Sequence, residues 1–162
     1  LYGPGEDGRL KLLDDPATGK YAKPPRLLAG GHGLVSTAGD YVRFCQMLLN
    51  GGELAGNRLL GRKTVELMTM NHLPESMIPV GWLPDVMHGY GFGLGVRVRA
   101  DDAQAGLLGS VGDYGWGGYA STNFFIDPKE ELIAILMPQF LPSGYYPIRK
   151  ELRVLVYQAL VD

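Results

Sequence analysis

The chain holds a single cysteine, Cys45, so it can form no internal disulfide and build no cysteine-ligated zinc site. A free, buried thiol is the plain expectation. Histidine is nearly as scarce. His32, His72 and His88 lie far apart, none at the i, i+4 spacing of a helical zinc pair, and no metal or cofactor is expected. No run of about 18 apolar residues is available to span a bilayer. An excess of positive charge is missing too: 15 Lys and Arg stand interleaved against 17 Asp and Glu, for a net charge of -2. That balance gives neither a broad basic field nor a basic amphipathic helix, so neither nucleic acid nor membrane is an expected partner. G-x-S-x-G is absent, which counts against an α/β-hydrolase, and no G-K-[ST] follows Gly91, Gly93 and Gly95.

What is present suffices for a core. With 162 residues, 46% hydrophobic and 20% charged, the chain fits one ordinary domain or a large piece of a two-domain protein. Glycine and proline crowd residues 1–31, predicting loop with one short extended piece at Arg9 to Leu13. Long structureless loops are uncommon unless they cover a site or lie against another part of the protein. Residues 1–31 are therefore expected to connect to a missing upstream half, and the opening at Leu1-Tyr2-Gly3-Pro4 reads as a cut.

Thr37, with Asp40 three residues on and Tyr41, Phe44, Cys45, Leu48 and Leu49 at helical spacing, predicts a capped helix over 38–49 closed by Gly51. A second helix carries Val65, Leu67 and Met68 and ends at Asn71 to Pro74. After an irregular loop over 73–89, Tyr90, Phe92, Leu94, Val96 and Val98 alternate with glycines and with Arg97 and Arg99, predicting one half-buried strand. A turn at Asp101 to Gln104 and a weaker strand at Ala105 to Leu108 follow. The most strongly marked stretch runs from Gly115 to Met137: a glycine-opened strand, an Asp127-Pro128-Lys129-Glu130 turn and an apolar return strand. Its Gly117 and Gly118, lacking a Cβ, would let the backbone come close to a ligand. Leu141 to Pro147 is a loop, in which Tyr145 and Tyr146 could rim a pocket. A terminal helix then carries Ile148, Leu152, Leu155, Val156 and Ala159 as its apolar stripe, with Arg149, Lys150, Glu151 and Arg153 turned to solvent. The reading is α+β: helices covering an antiparallel sheet of about three main strands.

Four segments together carry a resemblance. They are Gly30 to Tyr41, Leu48-Leu49-Asn50-Gly51-Gly52, Tyr90 to Gly95, and Gly115-Trp116-Gly117-Gly118 with Phe125-Ile126-Asp127-Pro128. In their order and spacing they resemble the C-terminal portion of the serine β-lactamase-like superfamily, nearest its class C-related β-lactamases, β-lactamase-fold esterases and D-alanyl-D-alanine carboxypeptidases. On that resemblance, residues 32–162 are the C-terminal portion of a β-lactamase-like domain.

The resemblance implies a serine acyl-transfer site with three motifs: S-x-x-K, Y-x-N or S-x-N, and K-T-G or a replacement on a strand edge. Ser36, Ser76, Ser110, Ser121 and Ser143 all lack a lysine three residues on, and no Y-x-N occurs. Ser121-Thr122-Asn123 matches S-x-N by letters only, after the third motif, and is better read as strand. Trp116-Gly117-Gly118 stands where the family has K-T-G or W-G-G. Trp116, Gly117, Gly118 and Tyr119 would then line the acyl substrate, with the Tyr119 backbone N–H as one of two oxyanion-hole donors. Trp116 in place of a lysine removes a cation for a substrate carboxylate, favouring neutral esters or amides. Against this stands a plain structural reading, in which Trp116 is a core aromatic and the glycines form a bulge. The nucleophile lies outside this chain, so the chain is expected to be inactive alone. Its partners are a small acyl substrate and the missing half or a second copy. The alternative is a non-catalytic binding domain of the same fold.

Overall fold

The computed structural model describes residues 1–31, 33–81 and 86–161. Its N-terminal stretch is more ordered than the glycine and proline content predicts. Strands β1 (Tyr2–Pro4) and β2 (Leu10–Leu12) pair antiparallel, and Tyr2 exchanges backbone bonds with Gln139 and Leu141, at 2.8 Å each. This partner lies more than 130 positions away, which a local reading cannot supply.

Helix α1 (Ala38–Leu49) falls where the spacing puts it. The Thr37 hydroxyl oxygen accepts from the Asp40 N–H at 3.1 Å, which satisfies one of the free donors of the first turn. Gly51, at φ 68°, closes the helix in the left-handed region. A two-residue ribbon, β3 (Glu53–Leu54) with β4 (Asn57–Arg58), leads into α2 (Arg62–Met68).

The main sheet has five strands, all antiparallel, in chain order: β5 (Tyr90–Phe92), β6 (Arg97–Arg99), β7 (Tyr114–Gly117), β8 (Asn123–Asp127) and β9 (Leu132–Leu136). Two runs read as single strands fold back on themselves. The run 90–99 reverses at Gly93 to Val96, with Gly95 at φ 94° and the Gly93 N–H donating to Val96 O at 2.7 Å. The reversal puts Tyr90 opposite Arg99 and Gly91 opposite Val98. Arg99 thereby joins Tyr90 on one face, where a single strand would have separated them. The expected strand at 105–108 is not formed either. Asp101 accepts from the Gln104 N–H at 2.8 Å and Gly106 takes φ 63°, so the chain makes one helical turn, α3 (Asp102–Ala105).

Helices cover both faces. Against α1 the sheet packs Val98, Tyr114, Phe124 and Ile126 around Cys45, Met47, Leu48 and Val65, and this is the hydrophobic core. Against α4 (Ile148–Gln158) it presents Phe125, stacked on Tyr157 at 5.8 Å, and Asp127, which accepts from the Tyr157 hydroxyl at 2.6 Å. The expected sides of α4 are partly exchanged. Lys150 and Glu151 are exposed, but Arg153 is buried, Arg149 is half-buried and Leu155 faces water. The cause is Asp113, buried to 1% exposure, which draws Arg153 inward at 2.7 Å and Arg99 at 2.8 Å. A buried carboxylate persists when it is paired and hydrogen-bonded, and this one has both.

Candidate functional site

The register of β7 and β8 pairs Trp116 with Phe124 and Gly117 with Asn123. One step on, the Gly118 N–H donates to Thr122 O at 2.8 Å, and the chain reverses through Tyr119, Ala120 and Ser121, the last at φ 69°. The stretch 115–126 is therefore two strands and a tight turn, a correction to its reading as one strand. Ser121 and Thr122 lie in the turn, and Asn123 opens β8.

The two sides of β7 differ. Towards β8 it is paired throughout. On its other side β6 meets it at Tyr114 and Gly115, and from Trp116 onward that edge has no neighbouring strand among the described residues. The Gly118 N–H faces β8, and the Tyr119 N–H follows one peptide on, at the start of the turn. It meets no acceptor among the described residues. The Tyr119 ring is 77% exposed and the Trp116 ring 40%, packed edge-on against Phe92 at 5.0 Å. An unpaired backbone donor just past the end of a strand, flanked by an aromatic wall, can hold a carbonyl oxygen or the oxyanion derived from it.

Gly117 and Gly118 lack a Cβ for a reason different from the one expected. A Cβ on Gly117 would lie 2.9–3.2 Å from the Arg149 guanidinium, and one on Gly118 would strike the Thr122 hydroxyl. Both spaces face the protein's own side chains. Arg149, expected in solvent, donates from Nη2 to Gly118 O at 2.7 Å and to Thr122 O at 3.0 Å, and from Nε to Ser121 O at 3.3 Å. Asn123 donates to Trp116 O at 3.0 Å, and the buried Ser121 hydroxyl donates to Phe140 O at 2.9 Å. The side chains matching S-x-N are thus bound to backbone.

The remaining candidates lie apart from this edge or beside it. His72 holds the end of α2 through a 2.7 Å contact with Leu67 O, His88 is exposed, and His32 lies outside the described residues. Among the described residues no three metal-ligating side chains come together. Tyr145 and Tyr146 pack on each other and on Phe140, whose N–H donates to Ala120 O at 3.1 Å, so their aromatic cluster adjoins the turn. Two shallow surface depressions, one between α1 and the β8–β9 turn and one at the β1–β2 turn, lie away from the end of β7.

Charge behind the edge is concentrated on the α4 face. Arg99 and Arg153 share Asp113 and the Leu108 carbonyl, Arg99 also reaches the Tyr90 hydroxyl at 3.0 Å, and Arg153 lies 4.1 Å over the Phe125 ring. Burial works against the Arg153 charge, but the bonds and charge of Asp113 outweigh it and hold its pKa above the usual value. Arg97, over the same Tyr90 ring at 5.1 Å, is pushed the other way by burial. Arg149, Arg153 and Tyr157 sit at spacings of four on α4. That second stripe was the available signal for their inward role.

Helices on both faces of an antiparallel sheet, with a glycine-opened inner strand, match the β-lactamase/transpeptidase-like fold. The chain belongs to the β-lactamase family, whose family model matches residues 2–158, and so to the β-lactamase-fold serine hydrolases. A Mycobacterium tuberculosis (strain H37Rv) relative, Protein Rv1367c, is 34% identical over 141 residues, covering 85% of this chain and 35% of its own length. The chain thus spans about a third of that relative. Among solved structures it is similar to a LovD6 mutant of the simvastatin synthase from Aspergillus terreus, with a TM-score of 0.75 and 24% identity over 98% of this chain and 41% of that one. It is likewise similar to EstCE1, described as a hydrolase with promiscuous acyltransferase activity, with a TM-score of 0.75 and 21% identity over 96% and 42%. Both structural likenesses are of fold.

Proposed function

We propose that this chain supplies one wall and one oxyanion donor of a serine acyl-transfer site that hydrolyses neutral esters or amides. The observation that carries the reading is the Tyr119 N–H just past the end of β7, which meets no acceptor among the described residues. In the proposed reaction a serine Oγ from outside this chain attacks the substrate carbonyl carbon as its proton passes to a general base, also outside this chain. The π electrons move onto oxygen, and the Tyr119 N–H binds the resulting anion more tightly than the neutral carbonyl. Collapse expels the alcohol or amine with a proton from the general base, and water then cleaves the acyl-enzyme. Trp116, at the place of a lysine, offers an apolar wall with no positive charge, which supports esters over substrates bearing a carboxylate. The exposed apolar side chains of Leu27, Leu28, Leu34 and Val35 support cover by further polypeptide or by a second copy.

The test uses the full-length protein, a chromogenic short-chain ester, a chromogenic cephalosporin and a fluorophosphonate serine label. Ester turnover should exceed cephalosporin turnover, and the 162-residue chain alone should have neither. Tyr119→Pro, which deletes the N–H, should lower kcat by about 100- to 1,000-fold. Tyr119→Ala keeps the N–H and trims an exposed ring, so kcat should stay within a few-fold. Equal losses in both variants would refute the backbone role. Ligand binding without labelling or turnover would favour a non-catalytic domain.

A further inference from the structure

We propose that Arg149 is a positioning residue that aims, and strengthens, the Tyr119 amide just past the end of β7; its catalytic consequence rests on the function proposed above. One peptide unit links the two residues. Gly118 C=O and Tyr119 N–H belong to the same planar, trans group, so they point in opposite directions. Whatever fixes the oxygen fixes the hydrogen. Arg149 Nη2 holds Gly118 O at 2.7 Å, and its other bonds, to Thr122 O and Ser121 O, anchor the guanidinium to the far side of the same turn. The Tyr119 N–H is thereby directed away from the guanidinium.

The same bond acts on strength. A cation drawing on the carbonyl oxygen polarises the peptide and makes its N–H a better donor, as in any chain of hydrogen bonds. Arg149 also faces Gly117, where any Cβ would meet its guanidinium at 2.9 Å. The turn has two backbone bonds of its own, from Gly118 N–H to Thr122 O at 2.8 Å and from Ser121 N–H to Gly118 O at 3.2 Å, and Arg149 adds a charged donor to both oxygens. Ser121 sits in the left-handed region, where a non-glycine residue is uncommon. A planar fork with several donors can serve the carbonyls of the turn together, whereas an ammonium cannot span them.

The experiment uses the full-length protein with Arg149→Ala, Arg149→Lys and Gly117→Ala, read by ester kinetics and by amide hydrogen exchange at Tyr119. Arg149→Ala should lower kcat about 10- to 100-fold with KM within about twofold, as for a partly lost oxyanion donor. Added guanidinium chloride at millimolar concentration should restore part of kcat in Arg149→Ala, and Arg149→Lys should stay low. Gly117→Ala, which pushes the guanidinium aside without removing it, should lower kcat similarly and add little in the Arg149→Ala background. Tyr119 exchange should quicken in each variant. Unchanged exchange together with wild-type kcat in Arg149→Ala would overturn the proposal, as would a loss confined to KM. Should the wild-type protein lack ester turnover, the proposed function fails, and Tyr119 exchange alone decides: faster supports the clamp, unchanged overturns it.

Discussion

Asp113→Asn should be the most destabilising single-atom change in the α4 face. In the native protein Asp113 is 1% exposed and accepts from Arg99 Nε at 2.8 Å and from Arg153 Nη1 and Nη2 at 2.7 and 3.2 Å. The amide removes the one carboxylate that compensates two buried guanidinium groups. Arg99 keeps the partly exposed Asp102 at 3.2 Å, the carbonyls of Leu107 and Leu108, and Tyr90. Arg153 keeps Leu108 O at 3.2 Å, the rings of Phe125 and Tyr157, and at most the neutral amide oxygen of the new side chain, for which Arg99 competes. Leaving a buried charge unpaired costs about 3–5 kcal/mol. For a chain of this length that lowers Tm by roughly 10 °C or more. The opposite deletion behaves differently. Arg153→Met leaves Asp113 bonded to Arg99 and keeps an apolar stem on Phe125, so its cost should be about 1–2 kcal/mol. Urea unfolding followed by circular dichroism on both variants gives the comparison. If Asp113→Asn lies within about 1 kcal/mol of wild type, or Arg153→Met costs as much, the account of this cluster is wrong.

Two further outcomes follow from packing around α1. Burial pushes the Cys45 thiol up to about 11, and raises Tyr41 and Tyr114 as well. These acids are neutral when protonated, so the folded state keeps protons that the unfolded chain releases. Stability is complete below the unfolded thiol value near 9 and falls as pH rises towards 11, by about 3 kcal/mol for Cys45 alone. Cys45→Ala should flatten that alkaline slope in urea titrations, and an unaltered slope would count against it. Thr37→Ala removes the α1 cap and should cost about 1 kcal/mol, seen as a lower urea midpoint at unchanged m-value.

Legibility in the sequence tracked the range of the forces. Helix α1 was readable because its cap, stripe and closing glycine all lie within fifteen residues. The β8–β9 turn was readable for the same reason, with Asp127 accepting from the Lys129 N–H at 3.0 Å. The reversals at 93–96 and 118–122 were not. The first kept the alternation of a single strand on either side of its turn, and the second depends on a left-handed Ser121 that composition does not announce. At the site, Trp116 to Tyr119 were legible as letters, but the bare edge beside them is set by where β6 stops. Arg149 and Arg153 were misread because charge was assigned to water by default, and nothing in its neighbourhood marked Asp113 as their counter-charge. The hydrogen-bond partners of the two arginines lie 27 to 45 positions away.

The contact between Gly117 and Arg149 constrains how this protein can change over generations. A side chain at 117 must displace the guanidinium, and loss of the guanidinium leaves three carbonyls of one turn without their shared donor. Neither position can vary first without cost. A lineage that abandons one should abandon both, and one that needs a larger residue at 117 must first find another anchor for the turn. The pair forms a ratchet, holding the strand edge in shape through long stretches of drift at the surrounding surface.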